Sequence, residues 1–214
     1  PTLRKERWKS YFETQLNRPN PPIPYHNRSV NPPVPDRPSA HVEPPTFQEV
    51  ATAIKNLKLR KAPGVCDIPP EVLKAVDDPT IQRITSLLER IWLTRDVPQD
   101  FKDSVIVPVF KKGCKFECKN YRPISLLSIA GKILTSIMRT RLKDVYEFSL
   151  RDQQAGFRSG RGCSDQIFTL RQVVERRIRH GLPIVAVFID FASAFDSVHR
   201  DSMWSILKNN GIPD

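Results

Sequence analysis

Asp190 is the residue of this 214-residue chain whose type and position best suit chemistry. It follows an apolar run, residues 183–189, that is rich in β-branched types and predicts a strand buried on both faces. A carboxylate at the end of such a strand is held on a rigid support. Carboxylate oxygens bind hard cations such as Mg²⁺ at about 2.0–2.1 Å. The pattern predicts a metal-binding aspartate, although a plain strand cap at Asp190 and a helix start at Asp196 would give the same spacing.

The residues after Asp190 favour a phosphate-bearing ligand. Ala192, Ser193 and Ala194 are small and would let a phosphate approach the backbone. Phe195 adds a flat ring five positions after the acid.

Two basic segments upstream could bind the same kind of ligand. Arg122 is held between an aromatic residue and a proline, after the basic turn of Lys111 and Lys112. Residues 153–162 combine three glycines with Arg158 and Arg161, which suits a close approach to a polyanion. This loop is a weak phosphate signal by itself, because it lacks the spacing of a P-loop.

The composition favours a nucleic-acid partner over other classes. The chain carries 34 basic and 23 acidic residues, a net charge of +11, which attracts polyanions. A soluble basic protein without such a partner would have the same charge. No apolar run is long enough for a transmembrane helix, and no signal-peptide pattern is present. The four cysteines fit a reducing compartment and do not have zinc-finger spacing.

Apolar periodicity predicts a mostly helical α/β fold. Helices are expected over residues 3–16, 47–57, 79–92, 129–145, 164–179 and 200–210, with Thr46 and Glu49 forming a capping box. Strands are expected within 103–127 and over 183–190. Residues 18–45 hold ten prolines and predict an extended linker without regular structure.

Three segments occur in an order that is far more specific than any one of them. They are NYRPISLL (residues 120–127), QAGFRSGR (154–161) and FIDFASAFD (188–196). With these in this order, the chain resembles the reverse transcriptase of non-LTR (LINE-type) retrotransposons. RKAPG (60–64) and the helix around Trp8 with the proline-rich stretch that follows it also look like the segment between endonuclease and polymerase in that family.

The resemblance implies a role for each candidate residue. Asp190 would be the first catalytic aspartate, binding Mg²⁺ (or Mn²⁺) with the backbone carbonyl of Phe191, and Asp196 would be structural. Arg122 would grip the triphosphate of the incoming nucleotide, assisted by Lys111 or Lys112. The remaining roles are nucleotide binding by Ser193 and Ala194, exclusion of a 2′-hydroxyl by Phe195, and template binding by Gly156, Phe157, Arg158 and Arg161.

The implied fold is the fingers and partial palm of a right-hand polymerase. Its divisions would be an amphipathic helix (1–17), a proline-rich linker (18–45), the fingers region (46–181) and the start of the palm (182–214). The family's aromatic-x-Asp-Asp hairpin does not occur in the sequence, so we expect these residues alone to be inactive. The implied partners are an RNA template, a DNA primer or target and dNTPs, without a membrane, in the nucleus at the site of integration after cytoplasmic assembly with RNA.

Two other interpretations remain open on sequence alone. One is a non-catalytic nucleic-acid-binding module derived from such an element. The other is a group II intron maturase, which shares the polymerase core but is less similar in residues 121–127.

Overall fold

The structure, a computed structural model, describes residues 2–17 and 40–212, which are mostly helical with one small sheet. The helices are α1 (Thr2–Leu16), α2 (Phe47–Lys55), α3 (Pro70–Lys74), α4 (Asp78–Thr94), α5 (Gln99–Lys102), α6 (Ile129–Ser149), α7 (Cys163–Arg179) and α8 (Arg200–Asn209). The strands are β1 (Ser104–Phe110) and β2 (Tyr121–Leu127). In the part of the chain described here, no helix has the length and apolarity needed to cross a membrane.

The described residues form two compact units. The first contains residues 2–17 and 40–143, and the second contains residues 144–212. The boundary between them falls within α6. The resemblance implies another boundary, after residue 181, between the fingers region and the start of the palm. That boundary stays a prediction. Of the predicted linker, residues 18–39 lie outside the described residues, and residues 40–45 contain no helix or strand.

The core of the first unit lies between α2, α4 and α6. Its buried side chains recur at helical spacing: Val50, Ala53, Ile54, Leu88, Ile91, Ile133 and Ile137. Each large aliphatic side chain removed from water in this way contributes about 1.5–3 kcal/mol. The apolar period of the sequence therefore predicted these three helices correctly.

The capping box at the start of α2 is confirmed, and its acid has a second partner. The Thr46 N–H donates to Glu49 Oε2 at 2.9 Å, and the Glu49 N–H donates to Thr46 Oγ1 at 3.3 Å. Arg141 of α6 donates to both oxygens of Glu49, each at 2.7 Å. The same guanidinium donates to the backbone carbonyls of residues 41, 43 and 44. One side chain thereby fastens residues 41–44 to the helical core.

The two strands form an antiparallel hairpin in which Pro108 lies opposite Pro123. Proline has no N–H, so this pair fits the ladder only where an N–H would point away from the partner strand. Both outer edges of the sheet therefore lack a donor at this position, which makes them poor templates for another strand.

The loop before α3 supports the junction between β2 and α6. Gly64 is buried, and a Cβ atom there would lie 2.2 Å from the Leu127 carbonyl oxygen, so only glycine fits. Close by, Cys66 Sγ accepts a hydrogen bond from the Ile129 N–H at 3.5 Å. The short segment RKAPG therefore has a packing reason for its glycine.

The predicted strand over residues 183–190 is wrong. These residues carry no regular secondary structure, and they are exposed, with Val187 at 79% and Phe188 at 82%. A strand is stable only when its N–H and C=O groups pair with a neighbour. Among the described residues the one sheet consists of β1 and β2 alone, so no strand pairs with this segment. The apolar run has the composition of a buried strand. Whether a segment is buried depends on the segments that pack against it, which the local sequence pattern does not show.

Candidate active site

The predicted triphosphate ligands lie on and beside the hairpin of the first unit. Arg122 is exposed on β2, opposite Val109 of β1, and Lys111 and Lys112 are exposed directly after β1. None of these three side chains has an ion pair among the described residues. Their charges are therefore available to a polyanionic ligand.

Tyr121 fixes the local geometry of this hairpin. Its ring packs edge-on against Phe110 at 5.3 Å, and its hydroxyl donates to the Lys115 carbonyl at 2.9 Å. Because side chains alternate along a strand, Arg122 points to the face opposite Tyr121. The ring contacts therefore hold one face of the hairpin and leave the arginine face open.

In the second unit, Asp190 precedes a series of tight turns over residues 192–197. Ser193 has a left-handed backbone with φ +52°, which is uncommon for a residue with a side chain. Its carbonyl accepts a hydrogen bond from the Ser197 N–H at 3.0 Å. Asp190, Phe191, Ala194 and Phe195 are all exposed. The turn thus presents a carboxylate and an aromatic ring to solvent.

The two arginines of the glycine-rich loop differ in their bonding and exposure. Arg158 Nε donates to Glu147 Oε1 at 2.7 Å, and its Nη1 donates to the carbonyls of Arg151 and Gln154 at 2.9 and 3.3 Å. Its side chain is only 9% exposed. Arg161 is more open, with Asp152 as a loose partner at 3.8 Å. Arg158 is therefore committed to holding the loop, whereas Arg161 faces solvent.

One contact joins the loop to the aspartate turn. The rings of Phe157 and Phe195 meet edge to face, with centroids 5.7 Å apart at 87°. Phe157 also has a left-handed backbone, with φ +62°. The structure thus brings together two segments that are about 40 residues apart in sequence, and it gives the aromatic residue of the loop a partner that no spacing argument could identify.

The described residues do not form a complete metal centre. Within residues 2–17 and 40–212, no group of three or more His, Cys, Asp or Glu side chains is arranged to hold an ion. Two-metal catalysis needs several carboxylates around ions about 3.5–4 Å apart. The predicted ligands, Asp190 and the Phe191 carbonyl, would supply one carboxylate and one further oxygen, so this part of the chain fits such a centre only in part.

Comparison with known proteins gives a consistent family. Residues 109–214 match the family described as reverse transcriptase (RNA-dependent DNA polymerase). A probable RNA-directed DNA polymerase from transposon BS of Drosophila melanogaster is 32% identical over 173 residues, which is 79% of this chain and 19% of the relative.

Other relatives come from further mobile elements of the same organism. A putative 115 kDa protein of the type-1 retrotransposable element R1DM is 31% identical, covering 78% of this chain and 17% of the relative. The RNA-directed DNA polymerase from mobile element jockey is 28% identical, covering 72% of this chain and 17% of the relative. The chain thus spans less than a fifth of these relatives.

The matched region contains all three of the ordered sequence segments, the strand β2 with Arg122, and the turn with Asp190. The matches to relatives cover most of the chain. The chain therefore belongs to the reverse transcriptase family, as a segment homologous to the RNA-directed DNA polymerases of non-LTR, LINE-type retrotransposons.

Proposed function

We propose that this chain forms the fingers and the beginning of the palm of an RNA-directed DNA polymerase that copies an RNA template into DNA. The observation that carries the proposal is the match of residues 109–214 to the reverse transcriptase family. The exposed Asp190 turn and the open arginine face of the hairpin support it. The proposed substrates are dNTPs, and the proposed partners are an RNA template and a DNA primer or target. The proposed location is the nucleus, at the site of integration.

Asp190 contributes one of the carboxylates that hold Mg²⁺ in the complete polymerase, and the Phe191 carbonyl adds an oxygen. Mg²⁺ supplies charge neutralisation for the developing phosphate charge. Arg122 bonds the triphosphate because a guanidinium presents two parallel N–H groups to phosphate oxygens, and Lys111 and Lys112 add positive charge. Two-metal catalysis needs further carboxylates besides that of Asp190.

The backbone of Ser193 and Ala194 lies under the nucleotide, and Phe195 packs where the sugar C2′ atom arrives. Gly156, Phe157 and Arg161 line the template. Arg158 acts on the template through the loop that its bonds to Glu147 and two carbonyls hold in shape.

The sugar-gate role can be tested in a polymerase that carries this chain. Phe195→Val shortens the side chain and stays apolar, so a ribonucleotide 2′-hydroxyl no longer collides with a ring. The kcat/KM preference for dNTP over rNTP should fall at least tenfold, about 1.4 kcal/mol per decade. Phe168→Val, an exposed ring on α7 rather than in the turn, is the matched control. Unchanged sugar selection in Phe195→Val would remove the gate role.

The catalytic role of Asp190 needs a separate variant. Asp190→Asn keeps the shape and removes the charge, so incorporation of both sugars should be lost while template affinity stays within about twofold. Full polymerisation by Asp190→Asn would favour the alternative, a non-catalytic nucleic-acid-binding module whose activity in the assay comes from elsewhere.

A further inference from the structure

Trp8 of α1 packs on the hairpin that carries Arg122. Trp8 and Phe12, four residues apart, stack with ring centroids 5.5 Å apart, and Phe12 is buried. Trp8 also meets Tyr121 of β2 edge-on, with centroids 4.8 Å apart at 76°. This is the shortest ring-to-ring distance described in the chain. A helix near the start of the sequence is thereby joined to a strand more than 100 residues later.

Tyr121 transmits this contact to both groups of basic residues. Its peptide continues directly into Arg122, and its hydroxyl holds the Lys115 carbonyl in the loop that also carries Lys111 and Lys112. Across the sheet its ring packs on Phe110, the last residue of β1. A single ring therefore connects α1 to the arginine strand and to the lysine turn.

A hairpin of this kind needs such support. A two-stranded antiparallel sheet is marginally stable by itself in water and is stabilised by packing against a helix. Both outer edges of this sheet lack a donor at the Pro108–Pro123 pair, so further strands are poorly accommodated there. Trp8 of α1 packs on Tyr121, on the face that Arg122 does not use.

We infer that Trp8 is a positioning residue for nucleotide binding: through Tyr121 it holds the hairpin in the geometry that aims Arg122 and the lysine turn at the triphosphate. The inference rests on the proposed role of Arg122 and adds to it a requirement for α1, which lies before the proline-rich stretch. α1 thus supports the nucleotide site through Tyr121, in addition to preceding the linker in sequence.

Two measurements test this, on Trp8→Ala, the ring-retaining Trp8→Phe, and Lys9→Ala as control. Lys9 is an exposed neighbour on α1 whose partner is Glu13 on the same helix. The first measurement is amide hydrogen exchange over residues 104–127. Loss of the aromatic contact should accelerate exchange about three- to tenfold in Trp8→Ala, with Trp8→Phe and Lys9→Ala close to wild type.

The second measurement is primer extension by a polymerase that carries this chain. Trp8→Ala should raise KM for dNTP about three- to tenfold and change kcat less than twofold, because it disturbs aim rather than chemistry. Arg122→Ala should raise KM further. The double variant should raise KM by less than the product of the two single effects, since the part of the positioning that acts through Arg122 has no effect without the arginine. If Trp8 had only a structural role, Trp8→Ala would reduce the amount of folded enzyme. The apparent kcat would then fall while KM stayed unchanged.

The outcomes separate the two claims. Unchanged exchange in Trp8→Ala would overturn the positioning inference. Faster exchange with unchanged KM would also overturn it, while Arg122→Ala still raising KM would leave the proposed function standing. If Arg122→Ala leaves KM unchanged, the proposed role of Arg122 fails and the inference built on it fails too.

Discussion

At the scale of single residues, Arg141 and Glu49 form the most heavily bonded ion pair described in the chain. The guanidinium is 5% exposed, donates to both carboxylate oxygens, and lies over the Trp92 ring at 5.0 Å. Burying a charge is tolerated when it is paired and its remaining donors are satisfied. Here the spare donors bond the carbonyls that end the proline-rich stretch. The pair therefore joins residues 41–44, the capped start of α2, and α6.

This pair should make stability depend on pH. Hydrogen bonding to Arg141 lowers the pKa of Glu49 from 4.5 to about 2. Because the folded pKa lies below the unfolded one, the stabilisation is fully present above about pH 4.5. It is lost as the pH falls toward 2. We expect Glu49 to contribute on the order of 2 kcal/mol to that loss, and urea unfolding between pH 2 and 7 measures it.

Glu49→Gln should lower stability at pH 7 and flatten the dependence between pH 2 and 4.5. The control, Glu13→Gln, breaks an exposed Lys9 pair and should cost less than about 1 kcal/mol at pH 7. A pH dependence that survives intact in Glu49→Gln would show that other carboxylates cause it.

At the scale of elements, local sequence determined the helices and the hairpin. The capping box of Thr46 and Glu49, the helical spacing of Ile129, Ile133 and Ile137, and the glycine that ends α7 all depend on residues within a few positions of one another. Such features need no tertiary partner to be recognised. The same local reading failed at residues 183–190, because burial depends on what packs against a segment.

Long-range partners explain the parts of the site that sequence could not provide. Arg158 was predicted to bind the template. Its position is set by its bond to Glu147, which lies eleven residues earlier in α6. The contact of Phe157 with Phe195, and of Trp8 with Tyr121, joins rings whose sequence spacing has no period. Spacing identified most of the participating residues but not which of them touch.

The exposed apolar segment should govern self-association of the isolated chain. Residues 184–189 are β-branched or aromatic with one alanine, uncharged and unpaired, which is the composition of an aggregation-prone strand. Val187→Lys should reduce light scattering on warming. It should leave the melting temperature nearly unchanged, because the native side chain is exposed and packs on little. Leu3→Lys adds the same charge on exposed α1. Equal suppression by both variants would point to net charge rather than to this segment.

At the scale of the whole molecule, the excess of 34 basic over 23 acidic residues acts on any polyanion. Much of this charge, as on the hairpin, is not committed to ion pairs in the described residues, and Arg161 has only the exposed Asp152 as a partner, 3.8 Å away. Binding of single-stranded RNA or DNA should therefore release counterions, with log affinity falling linearly with log salt. Little sequence preference is expected, because phosphate contacts carry no base information.

The two loop arginines should separate contact from support in that experiment. Arg161→Ala should reduce the salt slope by about 0.7, the value for one phosphate contact on a single strand, and Arg161→Lys should restore it because the charge returns. Arg158→Ala should instead lower the melting temperature, since the part-buried Glu147 carboxylate loses its partner and its other oxygen already has no hydrogen bond. Fluorescence titrations of one oligonucleotide at several salt concentrations, with melting curves for each variant, measure both effects. An unchanged slope in Arg161→Ala would remove this loop from the binding surface. A reduced slope in an Arg158→Ala protein that melts like wild type would mean that Arg158 leaves Glu147 to bind phosphate.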